Sequence, residues 1–407
     1  MTLTEQQKRE IQSEFTSCKS IEELVCLLNK INTWRYINNP QWIYLQKEIS
    51  VQSLKYFLYG KKNWYSTFEI KKKSGGTRKI TSPDQFVKQI QRLLNICFDA
   101  CFTPMPTATG FVAGRSIVDN AKKHVGRKYV YNIDLKDFFP SISFHRVRAV
   151  LAKVPPFKLD HDLASIIANI CCHEGSLPQG APTSPTLSNF ICKKLDAKLY
   201  RISKLQNFTF SRYADDITIS TNKNIFTEDF KSQIATIIKE EGFELNSKKE
   251  RLQRNNVKSP LKKSGYIRER QEVTGIIVNE KPNVSRHFIR TLRATLFNWE
   301  KDGYEFTSLK HQKYYTREKG FLKYNGAIPP IEEVVGGKIE YLGMVRGKED
   351  NIYRLMKLQF DELCKQQKYT NQYFENILAI FDKDGVKKAA DHFYNRKNLI
   401  PKHGQSS

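Results

Sequence analysis

The chain of 407 residues is predicted to adopt an α+β fold, on three features of its sequence. Two β-forming runs, 208–212 and 217–220, flank Tyr213-Ala214-Asp215-Asp216, the pattern of an antiparallel hairpin with acids at its tip. An apolar run at 129–133 reads as a buried strand with Asp134 at its end. Helical spacing marks both ends of the chain, with Ile21, Leu24, Leu27 and Leu28 near the start and Ile289, Leu292 and Leu296 beyond Pro282.

Taken in order, residues 1–60 form an N-terminal helical region. From Phe68 to Ile80 the chain reads as a strand, a basic glycine-containing turn (Lys71-Lys72-Lys73-Ser74-Gly75-Gly76) and a second strand. Such a hairpin can fold over phosphates, with the Arg78 guanidinium offering a bidentate fork; a solvated charged turn is the alternative. Asp134 sits at a strand end, or caps a following helix. Residues 163–170 read as a buried helix. Pro178, Pro182 and Pro185 break any helix before Asn189, so 177–185 is a shaped loop leading into one. Within it Gly180 permits close backbone approach, and the Gln179 amide can bond a ligand. Residues 286–299 and 353–363 read as amphipathic helices.

Two adjacent carboxylates on a tight turn repel one another unless a cation lies between them. A pair of Mg²⁺ ions meets that need, and a solvated turn is the alternative for this motif alone. A strand carrying Asp134 beside the hairpin would bring it near Asp215. Three carboxylates together suit two-metal phosphoryl transfer.

Composition points to nucleic acid. Lys and Arg number 67 against 42 Asp and Glu, a net charge of +25, and phosphate backbones are the natural complement. Basic clusters recur at 71–73, 248–254 and 258–270. Aromatics interleave with charge at 304–315 and near Tyr394, compatible with stacking on unpaired bases. No apolar run approaches membrane-spanning length, and Met1-Thr2-Leu3-Thr4-Glu5-Gln6 does not read as a signal peptide. Eight cysteines without a Cys-x-x-Cys pair fit buried thiols in a reducing cytoplasm, with Cys97 and Cys101 on one helix face and no zinc site.

Asp134 with Phe138-Phe139, then Leu177-Pro178-Gln179-Gly180-Ala181-Pro182-Thr183-Ser184-Pro185, then Tyr213-Ala214-Asp215-Asp216, resembles in order and spacing the palm of reverse transcriptases. The resemblance runs from about residue 65 to 278. Asn120-Ala121-Lys122-Lys123-His124 resembles the Asn-Ala-x-x-His element of retron reverse transcriptases, and Val273-Thr274-Gly275 their Val-Thr-Gly element.

The resemblance implies a right-hand polymerase fold. Fingers would span 61–130 and return at 145–176. The palm, an antiparallel sheet carrying the acids, would comprise 131–144 and 177–280, with a mostly helical thumb and extension at 281–407. It implies that Asp134, Asp215, Asp216 and the carbonyl of Leu135 hold two Mg²⁺ ions, and that Lys71 and Arg78 grip the triphosphate. Phe139 would form a plate under the sugar that favours deoxynucleotides, with an ordinary core aromatic as the alternative. Gln179 and Gly180 would meet the nucleotide. Lys249, in Asn246-Ser247-Lys248-Lys249, would lie near the leaving pyrophosphate as general acid or clamp; Glu250 stands where the family commonly has threonine.

Asn120, His124, Val273, Thr274 and Gly275 would recognise RNA, although His124 reads equally as a satisfied structural histidine. The implied partners are one cognate non-coding RNA, its DNA product, deoxynucleotides and a separate effector protein in phage defence, with no membrane. Synthesis would start from a guanosine 2′-hydroxyl to give a branched RNA–DNA. The alternatives are another bacterial defence reverse transcriptase with different priming, or a non-catalytic RNA-binding scaffold.

Overall fold

The computed structural model describes residues 3–37, 48–60, 63–71, 75–259, 262, 264–314 and 328–397. Lys72 and Lys73 of the basic turn, Tyr315 and the side chain of Tyr394 lie outside what is described. The chain divides into two compact units, Met1–Lys281 and Pro282–Ser407.

The first unit opens with α1 (Glu5–Ser17), α2 (Ile21–Ile37) and α3 (Val51–Tyr59), followed by the hairpin β1 (Tyr65–Lys71) and β2 (Thr77–Pro83). Thr4 starts α1 through a capping box with Gln7, and Asp84 caps α4 (Gln85–Cys101) by accepting from the Val87 amide. Then come α5 (Ile117–Lys122), β3 (Tyr129–Asp134), α6 (Phe144–Lys153), α7 (His161–Cys171), α8 (Ser184–Ile191) and α9 (Lys193–Gln206). The hairpin β4 (Thr209–Tyr213) and β5 (Asp216–Thr221) leads through α10 (Glu228–Glu240) to β6 (Arg251–Lys258), β7 (Tyr266–Arg268) and the small hairpin β8 (Glu272–Val273) and β9 (Ile276–Ile277). One expectation needs correcting: α8 already contains Pro185 and Asn189. A proline in the first helical turn removes only an amide that has no intrahelical partner there, so it opens the helix instead of barring it.

A five-stranded sheet in the order β4-β5-β3-β6-β7, with antiparallel neighbours, organises this unit. Its two faces differ in chemistry. Directly paired residues share a face, so Tyr129, Tyr131, Ile133, Phe210, Ile217 and Ile219 lie together on an apolar side. They join Phe226, Phe230, Ile234 and Ile238 around α10, and Leu195 and Leu199 of α9, in one buried cluster. That cluster continues into edge-to-face rings, Phe15 with Phe98 at 5.9 Å, Phe98 with Phe157 at 5.6 Å and Phe157 with Phe190 at 4.6 Å. The opposite side carries Asn132, Asp134, Ser211, Tyr213, Asp216, Thr218, Ser220 and Gln253. α5 and the β8–β9 hairpin pack near this polar side: Asn132 Nδ2 donates to Glu272 O at 2.7 Å, and Thr274 Oγ1 to Ile117 O at 3.2 Å.

The second unit is helical: α11 (Arg286–Asp302), α12 (Tyr304–Tyr314), α13 (Ile331–Arg346) and α14 (Asn351–Lys397), the last broken at Gly385 by φ 83°. Leu292, Leu296, Trp299, Val335, Ile339, Leu342 and Met356 are among its buried side chains. Among the described residues no helix is long and apolar enough to cross a membrane.

Candidate active site

Strand register brings the acids together. Asp134 is the last residue of β3 and is paired with Asp216, the first of β5. Tyr213 pairs with Asp216, so β4 and β5 are joined by only two residues, Ala214 and Asp215. The Leu135 amide donates to Asp215 O at 3.0 Å and ties the end of β3 to that turn. Asp215 alone stands on the turn, and Asp216 starts the returning strand.

The turn is built under strain and held from several sides. Ala214 takes φ +57° at the first central position, where glycine is usual, at a cost of about 1–2 kcal/mol. Gly110 packs beneath it: a Cβ on Gly110 would lie 2.4 Å from Ala214 N and 2.9 Å from Tyr213 C. Asn189 Nδ2 donates to Gly110 O at 2.9 Å.

On the apolar side Arg212 is fully buried. Its Nε and Nη2 donate to the two oxygens of Asp196 at 2.7 Å each, Nη2 also donates to Asn189 Oδ1 at 3.0 Å, and Nη1 donates to Ala214 O at 3.1 Å. Burial opposes the Arg212 charge, but the Asp196 carboxylate outweighs it and raises the guanidinium pKa above its ordinary value. On the polar side His124 bridges the two strands, Nδ1 to Ser220 Oγ and Nε2 to Ser211 Oγ, both at 2.7 Å.

After α10 the chain returns to the acids. Lys136 N donates to Glu244 O at 2.8 Å and Asn246 N to Asp134 O at 2.8 Å, which sets the short 3₁₀ turn at Ser247–Lys249 beside β3. Asn246 Nδ2 then reaches Asp134 Oδ1 at 3.1 Å, and Lys249 Nζ reaches Oδ2 at 2.9 Å. Burial opposes the Lys249 charge, yet the Asp134 carboxylate raises its pKa.

Burial, and then the Asp134 charge, raise the Asp215 carboxyl above its ordinary range, with Lys249 and Arg78 pulling the other way. Asp216, exposed at the sheet end, is pushed up to about 6 by the protein packed around it and by Asp215 and Asp134. The surplus of negative charge is the electrostatic signature of a cation site. Among the described residues no group of three or more His, Cys, Asp or Glu is arranged to hold an ion by itself.

The acids open on a cleft of about 550 Å³ lined by Arg78, Phe111, Asp134, Leu135, Phe139, Gln179, Asp215 and Lys249 among others. Gln179 is carried there by a loop docked on β2: Thr81 N donates to Gln179 O at 2.9 Å, and a Cβ on Gly180 (φ +136°) would meet Thr81 O at 2.9 Å.

Other expected site residues lie elsewhere. Lys71 pairs with Thr77 while Arg78 pairs with Ile70, so Lys71 and Arg78 point to opposite faces of their hairpin, and Lys71 does not line the cleft. Asn120, His124 and Val273 are 0 % exposed. Both nitrogens of the His124 imidazole are engaged in the interior, which fits the structural reading of that histidine. Burial lowers the His124 pKa to about 3. Thr274 (φ +47°) and Gly275 (φ +81°), the turn between β8 and β9, reach the surface.

Sequence reasoning missed Gly110, Asn189, Asp196, Arg212 and Asn246. One signal was available: Arg212 falls in phase with Phe208 and Phe210, the inward set of its strand, where a charge must be paired.

Residues 70–267 match the family described as reverse transcriptase (RNA-dependent DNA polymerase). The chain is similar to the retron Mx65 reverse transcriptase of Myxococcus xanthus, 35% identical over 57% of this chain and 55% of that protein. It is 33% identical to the retron Mx162 reverse transcriptase of the same organism, over 65% of this chain and 60% of that protein. With the retron Ec86 reverse transcriptase of Escherichia coli it shares 32% identity over 64% of this chain and 78% of that protein. It thus spans little more than half the length of the two Myxococcus relatives. A solved telomerase from Candida albicans with a TWJ fragment of telomeric RNA aligns with 81% of this chain and 62% of that chain, at 12% identity and a TM-score of 0.40.

Proposed function

The chain belongs to the retron reverse transcriptases, and from that premise we propose that it is an RNA-directed DNA polymerase copying a cognate structured non-coding RNA. Synthesis starts from a guanosine 2′-hydroxyl of that RNA and yields a branched RNA–DNA. The observation that carries this reading is the pairing of Asp134 with Asp216 beside the Asp215 turn, which puts Asp134 and Asp215 on the wall of a nucleotide-sized cleft with Asp216 next to them.

In this reading residues 61–130 and 145–176 are fingers, 131–144 and 177–280 the palm, and 281–407 a thumb with its extension. Asp134, Asp215, Asp216 and the Leu135 carbonyl would hold two Mg²⁺ ions, which supply Lewis-acid stabilisation of the phosphoryl oxygens and lower the pKa of the attacking hydroxyl. The chain's own groups do the rest. Arg78 pairs with the triphosphate, Gln179 bonds the nucleotide, and Phe139 underlies its sugar. Lys249, already charged and held by Asp134, neutralises the departing pyrophosphate. Gly275 and Thr274 present the exposed part of the RNA-recognition surface. The protein works in the cytoplasm in phage defence, with its effector a separate protein.

Replacing both Asp215 and Asp216 with Ala should abolish DNA synthesis, a loss of several kcal/mol in transition-state stabilisation, while RNA binding persists. Undiminished synthesis by that variant would sink the site assignment. Nucleic acid purified with the protein from cells carrying its native locus tests the product. A discrete DNA whose mobility on a denaturing gel shifts with both RNase and debranching enzyme is the expected result. DNA indifferent to debranching would move the protein to a defence reverse transcriptase with other priming, and RNA without DNA would leave a scaffold.

A further inference from the structure

We propose that Phe111 determines sugar specificity in the cleft: its ring backs Phe139 and closes the floor between that plate and Tyr213, so that a deoxyribose fits and a ribose does not. The inference rests on the polymerase reading above and adds to it a residue from outside the acidic, glutamine and lysine motifs.

The segment Thr109-Gly110-Phe111 distributes its residues against simple backbone preference. Gly110, the residue free to be left-handed, is spent on close approach to the catalytic turn and does not adopt that conformation. Phe111 instead takes φ +59°, which is an outlier for a bulky side chain. Nor does the ring contribute to a core, since Phe111 is 45 % exposed. A glycine would suit the backbone better and would not expose an aromatic to water. Folding therefore gives no reason for a phenylalanine here, and the cleft is where a reason must lie.

Its neighbours there identify the reason. Phe111 is 6.1 Å from the ring of Phe139 and 6.5 Å from that of Tyr213, each at 40°, within the range of aromatic contact. The Phe138 ring also lies 5.3 Å from that of Phe139. Phe139 thus contacts two rings, and Phe111 links it to Tyr213, the residue before Ala214 and Asp215. Much of the rest of the cleft is charged, with Arg78, Lys136, Asp134, Asp215 and Lys249 on its walls. A patch of hydrocarbon among such groups matches the C1′–C2′ face of a sugar and not a phosphate. Without Phe111 the Phe139 ring has room to turn aside, and a 2′-hydroxyl finds space.

The test compares full-length wild type with Phe111→Gly and Phe111→Leu for incorporation of deoxynucleoside and ribonucleoside triphosphates on one RNA template. Phe111→Gly keeps the left-handed backbone, so its melting temperature should equal or exceed that of wild type. Its preference for deoxynucleotides in kcat/KM should nonetheless fall about tenfold or more, through faster ribonucleotide incorporation, with deoxynucleotide kcat changed only a few-fold. Phe111→Leu, which restores apolar bulk, should recover part of the preference. Unchanged preference in both variants, or an equal loss for both nucleotide types, overturns the proposal. A wild type that incorporates neither nucleotide is a different failure, which removes the polymerase reading and this inference with it.

Discussion

Arg212 brings a full positive charge into the interior, and its neighbours show what the charge is for. Asp196 takes two of its hydrogen bonds and the Ala214 carbonyl a third, so the ion pair grips the backbone of the turn that bears Asp215. Arg212→Met leaves Asp196 buried and unpaired, and should cost about 3–5 kcal/mol in urea unfolding. Arg212→Lys should not rescue it, since an ammonium cannot reproduce a bidentate fork. Adding Asp196→Leu to Arg212→Met should restore much of the stability, because the isolated charge is gone, yet leave synthesis impaired, because Ala214 O is still unsupported. Full recovery of both would mean that the pair is structural only. At this scale the acids were legible because their chemistry shows in the residue type. Arg212 was not, because one arginine among 67 basic residues looks like surface until its strand phase is compared with Phe210.

Elements were legible where hydrophobic period and a chemical landmark coincided. Strand β3 announces itself by Tyr129–Asp134, and β4 with β5 by alternation around Asp215-Asp216. The short α5 carried no period to read, so the role of its C-terminal neighbour His124 waited for tertiary structure. That histidine joins two strands of the acid-bearing hairpin through Ser211 and Ser220 on the sheet's polar side, where Asp134 and Asp216 also lie. It has a measurable consequence in acid. Its folded pKa of about 3 lies below the ordinary 6.5, so between those values the unfolded chain binds a proton that the folded chain does not. Stability therefore falls as pH drops through that window. The contribution of His124 between pH 7 and pH 5 should be about 2 kcal/mol. Chemical denaturation of wild type and His124→Gln at both pH values isolates it, since every other group titrates alike in the two proteins. The variant should lose less stability on acidification; identical losses would show that His124 is not held neutral in the fold.

On the scale of the whole molecule, charge and core are unequally shared between the two units. Residues 282–407 hold 22 of the 67 Lys and Arg and 15 of the 42 Asp and Glu, leaving 45 and 27 in residues 1–281. Residues 1–281 therefore carry a net +18 of the total +25, together with all five strands of the main sheet, the acids and the Phe15–Phe98–Phe157–Phe190 rings. Basic composition made a nucleic-acid partner legible but not where the charge lies, because composition has no geometry. If the first unit owns its core, a fragment of residues 1–281 should unfold cooperatively by calorimetry. With most of the positive charge it should still bind RNA, and its affinity should still fall steeply with salt, since phosphate neutralisation releases counterions. The helical unit, read above as a thumb, has a different task in this scheme, to keep the growing duplex engaged. The fragment should then begin synthesis on a primed template but release products within a few additions, where the full chain makes long ones. Products of full length from the fragment would deny the helical unit that role, and failure of the fragment to unfold cooperatively would show that the two units share their stability.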